Sequence, residues 1–211
     1  MKVKARAKPK LPQMEPGVYM AVCIGVVDLG EQYSEKYKNY SNKVLFIFEF
    51  PEERVEVDGE DKPRWMSREF IISQSKKSKL FEFVGSWNGV QYTAESFGEV
   101  ELFDQIGKPC QLQLVTSESG EYTNIAAVMQ LPKGVKVERR ETDTYAFDTE
   151  EWDDGVFESL PDWIRERIMK STQYQNSHAP TDAVDFPEED EQEEMEPETE
   201  PEPTKREGVP F

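Results

Sequence analysis

The sequence predicts a mainly β fold, a small five-stranded barrel with a short helix between its third and fourth strands, followed by a disordered acidic C-terminal tail that carries one short amphipathic helix. Three observations carry that prediction. Apolar residues recur at period two in five separate stretches, and the period switches once to that of a helix, between the third stretch and the fourth. The charge also falls into two blocks. Met1 to Arg140 hold 20 Lys and Arg against 20 Asp and Glu; Glu141 to Phe211 hold 5 against 23, which is the whole net charge of −18.

Each element follows from its local pattern. MKVKARAKPK carries five positive charges and no apolar period, so residues 1–15 read as a basic flexible arm. VYMAVCIGVVDLG is the first strand, with Val18, Met20, Val22, Ile24 and Val26 expected on one face and Gly25 marking a bulge or strong bend. KVLFIFEF is the second, with Val44, Phe46, Phe48 and Phe50 on one side; Asp58-Gly59 then fits a hairpin turn, and RWMSREFIIS returns as the third. In KKSKLFEFVGSWNG, Leu80, Phe81, Val84 and Trp87 follow helical spacing, with Ser78 as cap and Asn88-Gly89 as stop. VELFDQI adds a further helical turn before Gly107, and CQLQLVTSE and YTNIAAVMQLP are the last two strands.

Three strands, a helix and two strands is the order of the five-stranded OB barrel, assigned here to residues 16–137; a small β-sandwich with an added helix has the same local pattern. Residues 138–181 read as a linker. Within it SLPDWIRERIMKS, about 159–171, is a short amphipathic helix with a capping-box pair in Ser159 and Asp162 and an apolar face of Leu160, Trp163, Ile164 and Ile168. Residues 182–211, rich in acid and Pro, cannot bury enough apolar surface to offset chain entropy, so they read as disordered, with Val209-Pro210-Phe211 as an apolar tip.

Composition excludes several classes. No stretch of eighteen apolar residues is present to span a membrane. Cys23 and Cys110 sit in apolar alternating segments and make no disulfide framework, which points to a reducing, cytoplasmic setting. The single histidine, His178, lies in the polar stretch QNSHAP, and neither a phosphate-binding Gly-x-x-x-x-Gly-Lys-Ser/Thr loop nor a Cys-x-x-Cys pair occurs. The expectation is therefore a protein without catalysis, metal or cofactor. An acidic metal-dependent nuclease site built from Asp28, Glu49 and Glu69 ranks last among the readings.

What remains is binding. In QYSEKYKNYSNK, Tyr33, Tyr37 and Tyr40 alternate with Lys36, Lys38 and Lys43. Single-stranded nucleic acid suits this combination, with ring faces for bases and ammonium groups for phosphates; each stacked base is worth roughly 1–3 kcal/mol whatever its identity. A second cluster follows: Arg64, Trp65 and Arg68, then Lys76, Lys77 and Lys79. Arg64 and Arg68 share a side-chain direction with Met66, whereas Trp65 points to the other face, as core or as stacking platform. The lysines at the helix start oppose the helix dipole, a repulsion that an incoming phosphate would relieve.

Three blocks carry a resemblance: WMSREFIISQSKKSKLFEFVGSWNG, QIGKPCQLQLVTSESGEYTNIAAVMQLPKG and SLPDWIRERIMKS. They resemble the corresponding blocks of single-stranded-DNA-binding OB-fold proteins carried by tailed phages and prophages, over roughly Pro16 to Ser171. The resemblance implies an accessory of replication or recombination that coats single strands in the bacterial cytoplasm. It also supplies the choice of DNA over RNA, which residue chemistry leaves open. The ending is similar to the tails of bacterial single-stranded-DNA-binding proteins, although Lys205-Arg206 interrupt the acid before the tip. In that reading Phe211 fills a pocket on a replication or recombination partner.

The leading expectation is thus a non-catalytic, sequence-tolerant single-strand binder whose tail recruits partners and tempers binding. The alternative is a protein-interaction adaptor that uses the barrel as scaffold, with Trp163, Ile164 and the tip as docking groups. A homo-oligomer paired through an edge strand fits either. Because an acidic tail competes with phosphates for basic side chains, deleting Asp182–Phe211 is expected to tighten single-strand binding and steepen its salt dependence. Titration of both chains at low salt checks this, and equal affinities would overturn it.

Overall fold

Two neighbouring strands, β1 (Gly17–Ser34) and β2 (Asn39–Val57), organise the chain, described in a computed structural model over residues 12–137 and 139–178. β3 (Glu60–Ile71) pairs with β2 and β4 (Pro109–Thr116) with β1, and β5 (Thr123–Met129) pairs with β4, all antiparallel. A sixth strand, β6 (Tyr145–Phe147), runs parallel to β1. The sheet order is β3-β2-β1-β4-β5, and among the described residues no backbone ladder joins β3 to β5. β4 leaves the edge of β1 at Val22, and β6 takes up that edge from Gly25 to Val27. Residues 145–147 thereby supply a strand beyond the five expected.

The first apolar cluster occupies one face of the sheet. Phe46, Phe48 and Phe50 alternate inward from β2, as expected, and meet Leu80, Phe83, Val84 and Trp87 of helix α1 (Lys79–Asn88). The phase of β1 differs from expectation. Tyr19, Ala21 and Cys23 face this cluster, and Val18 is exposed. A bulge between Cys23 and Gly25 then shifts the alternation, so that Val26 joins the first cluster while Ile24 and Val27 join a second one on the opposite face. Gly25 is needed at this point because a Cβ there would meet Ile47 at 3.0 Å and Tyr145 of β6 at 3.2 Å. Asp58 and Gly59 both adopt positive φ (53° and 84°), the conformation of a two-residue hairpin turn. Cys23 and Cys110 are buried and unpaired, and burial pushes the Cys23 thiol up to about 12.

The second cluster changes the reading of the C-terminal third. Residues 139–178, expected as a linker, supply β6 and three helices: α3 (Asp154–Ser159), α4 (Asp162–Ile168) and α5 (Thr172–His178). Leu160, Ile164 and Ile168 pack with Phe147 onto Ile24, Val27, Leu29, Leu45 and Ile47. The amphipathic helix is therefore docked on the sheet. Of its expected apolar face, Leu160, Ile164 and Ile168 are buried, whereas Trp163 is 45% exposed. The expected capping box is absent: α3 runs to Ser159, whose hydroxyl donates to the Val156 carbonyl, so α4 starts late, with Pro161 at its N-cap. His178, expected in an unfolded stretch, closes α5. A short helix α2 (Ala94–Gly98) and a 3₁₀ turn (Leu102–Gln105) connect α1 to β4.

Burial separates two neighbours on α4. Ile164→Ala, which empties part of the second cluster, is expected to lower stability by about 2–5 kcal/mol. Trp163→Ala is expected to stay within about 0.5 kcal/mol. Urea unfolding of the two variants measures both, and a similar cost for each would contradict this packing.

Candidate nucleic-acid interface

The β1–β2 hairpin closes with Tyr33 opposite Tyr40 and Ser34 opposite Asn39. Its turn is set by the Lys38 N–H donating to the Ser34 carbonyl (2.7 Å), with Lys38 at positive φ. Gln32 turns towards α4, donating to the carbonyls of Leu29 (2.7 Å) and Arg167 (3.0 Å). Strand alternation sends Tyr33 to the other face, and Tyr40 shares the β2 face of Val44 and Phe46. The pair thus extends the first-cluster face past the end of the core. The two rings lie 5.0 Å apart and tilted by 51°. Tyr33, Tyr40 and the tip residue Tyr37 are 43%, 59% and 67% exposed. The Lys36 ammonium sits 5.1 Å from the centroid of the Tyr37 ring.

The candidate cations divide into distinct settings. Lys38 reaches Glu35 at 2.7 Å, but both side chains are largely exposed, so the pair contributes little and is readily exchanged. Lys43 is only 19% exposed and binds Glu69 at 2.7 Å, and Glu69 also receives Arg167 of α4. Lys76, Lys77 and Lys79 are exposed on the run into α1. The run that carries them leaves β3 at its end nearer the tip, where the Ile72 N–H donates to the Asn42 carbonyl (2.9 Å), and Lys76 borders a groove along α1 with Phe81, Gly85 and Tyr92. Ser78 occupies the N-cap of α1 but makes no side-chain capping bond.

Arg64 and Arg68 share the face of Met66, as expected, with different surroundings. Arg64 donates to the carbonyls of Pro12 and Arg54. Arg68 is half-buried, stacked over Phe70 (4.7 Å) and Phe83 (5.3 Å), and donates to the Ala126 carbonyl of β5 (2.7 Å). Burial lowers its pKa, against the pull of Glu82. It is therefore a packing cation that ties β3 to β5. Trp65 lies opposite Glu49 on the second face, partly exposed; its indole N–H donates to the Thr142 hydroxyl (3.1 Å), and its ring meets Tyr145 edge-on at 6.0 Å. It borders a cleft of about 810 Å³ that Arg64, Met66, Tyr122, Asp143 and Tyr145 also line.

The expected single channel of rings and cations is thus divided. Glu49, the partner of Trp65, lies nine positions along β2 from Tyr40, roughly 30 Å at the usual strand rise. The tip holds the three tyrosines, Lys36 and Lys38; Lys76, Lys77 and Lys79 lie on the run from the end of β3 into α1; Arg64 and Trp65 lie towards the other end; Lys43 and Arg68 are engaged in ion pairing and packing. The sequence pattern passed over Tyr145, whose only signal was a short alternation in DTYAFD. Burial, and next the Asp143 carboxylate, raise the Tyr145 pKa. Of the proposed docking groups, Ile164 is fully buried and Trp163 is offered to solvent, while Val209, Pro210 and Phe211 lie outside the described residues.

Asp28, Glu49 and Glu69 do not converge as a nuclease site would require. Asp28 accepts from the Gly30 N–H (2.9 Å) and from Thr149. Glu49, fully buried, accepts from the N–H groups of Glu141 (2.8 Å) and Thr142 (2.9 Å), and Glu69 serves Lys43 and Arg167. Among the described residues no three His, Cys, Asp or Glu side chains are grouped to hold a metal ion, and no helix is long and apolar enough to cross a membrane.

Arg68→Ala is expected to destabilise the fold by about 1–3 kcal/mol, because it strips cover from Phe70 and Phe83 and leaves the Ala126 carbonyl without its donor. Denaturant titration reads this; unchanged stability would show that the guanidinium is not a packing element. No protein-family model, curated protein or solved structure matches this chain.

Proposed function

We propose that this chain is a non-catalytic binder of single-stranded DNA, engaging the strand at the β1–β2 tip and the neighbouring lysines. The observation that carries the reading is the exposed trio Tyr33, Tyr37 and Tyr40, two of them side by side at 5.0 Å, with the Lys36 ammonium over the third. Large aromatic groups left in water on a polar turn offer stacking faces for bases. Lys76, Lys77 and Lys79, exposed on the run from the end of β3 into α1, offer charge to phosphates.

The strand order and the helix between β3 and β4 agree with an OB barrel, and the Arg68 bridge from β3 to β5 lies where such a barrel would close. The choice of DNA and the role in phage replication or recombination rest on the resemblance described above, as does partner recruitment by residues 182–211. The adaptor reading keeps one exposed group on α4, Trp163.

Replacing Tyr33, Tyr37 and Tyr40 together by Ala is expected to weaken oligo-dT binding more than tenfold while circular dichroism stays unchanged. Replacing Lys76, Lys77 and Lys79 by Gln should flatten the slope of log affinity against log salt by about 0.7 for each phosphate no longer neutralised. Wild-type protein that binds a labelled peptide partner but no oligonucleotide would favour the adaptor.

A further inference from the structure

The cleft around Trp65 is rich in rings and poor in net charge. Trp65, Tyr122 and Tyr145 line it, with Trp65 and Tyr122 among the exposed aromatic side chains of the molecule. Its charges are largely answered locally. Glu141 receives Arg54 at 2.6 Å, and Lys62 binds Glu60 at 2.6 Å. Arg64, held by two carbonyls, and Asp143 remain, with opposite signs. Such a site attracts no anion strongly, but it offers flat apolar faces on a scale that suits planar groups.

Tyr33 and Tyr40 extend the first face, so a strand that runs from the tip to the cleft passes round the hairpin end onto the second face. On the second face of β3, Ile71, Ser67 and Trp65 are alternate-position residues left exposed beyond the cover of α4. Ile71 pairs with Lys43 near the tip, and Trp65 stands at the cleft. Midway, Lys43 and Arg167 share the one carboxylate of Glu69, which leaves that cluster with one net positive charge.

We infer that the cleft is a second stacking station, which takes unpaired bases of a strand already anchored at the tip and grips them by their rings, with the phosphates held elsewhere. This inference rests on the single-strand reading above. A strand long enough to follow β3 engages both stations, and a shorter one engages the tip alone. Stacking releases no condensed counterions, so the cleft adds affinity without adding salt dependence.

The experiment uses the full chain with oligo-dT of about 5 and about 20 nucleotides, lengths that bracket the usual site size of one such domain. Wild type is expected to bind the longer strand at least tenfold more tightly. Tyr122→Ala, and separately Trp65→Leu with its fold verified by melting temperature, are expected to remove most of that gap. Both variants should leave the short strand's affinity and the salt slope of the long one unchanged. A gap that persists in both variants overturns the second station, and a gap that closes together with a flatter salt slope overturns the claim that the cleft grips bases. Wild type that binds neither strand overturns the single-strand reading itself.

Discussion

The central constraint is that β1 and β2 are apolar on both faces. Phe46 and Phe48 point to one side and Leu45 and Ile47 to the other, so a sheet covered on a single side would leave a wide apolar surface in water. The first face is covered by α1, with Phe97 of α2 beside it, and the second needs a separate cover, which β6 and α4 provide. Each fully buried aliphatic side chain there contributes roughly 1.5–3 kcal/mol relative to exposure. The dispositions of Trp65, Lys43 and Trp163 all follow from how that cover is fitted.

Polar side chains register the cover. Gln32, Glu49 and Glu69 project from the second face, Asp28 stands opposite Val44 at the second irregularity of β1, and each meets a group in residues 141–167. Glu49 is the most demanding: a carboxylate buried in the sheet is tolerable only when its oxygens are answered, and two backbone N–H groups of the incoming chain answer them. A segment shifted by one residue would leave that charge unpaired, so the contact selects position as well as adding stability. These acids looked like candidates for metal chemistry because a sequence displays residue types without their partners.

Much of the architecture was nonetheless legible. The order of strands and α1, the inward row from Val44 to Phe50, the Asp58-Gly59 turn and the stop of α1 at Asn88 all rest on contacts between near neighbours. The phase of β1 did not: Gly25 marked the irregularity, but the expected row from Val18 to Val26 ran straight through it, whereas the bulge between Cys23 and Gly25 resets the alternation. β6 was missed because three residues are too few to show a period, and its pairing depends on an edge that β4 vacates. In the candidate site the tyrosine turn was readable as a local pattern. The withdrawal of Lys43 and Arg68 into ion pairing and packing was not, since their partners Glu69 and Ala126 are remote in sequence.

The cover is also late in the chain. Ile47 and its neighbours leave the ribosome well over a hundred residues before Ile164 and Ile168 do. At synthesis rates of about 5–20 residues per second, the second face of the nascent sheet stays bare for roughly 6–25 seconds. During that interval its aliphatic stripe is available to any passing hydrophobic surface, so the yield of this protein in a cell is governed by translation speed and by chaperone access as well as by the stability of the finished fold.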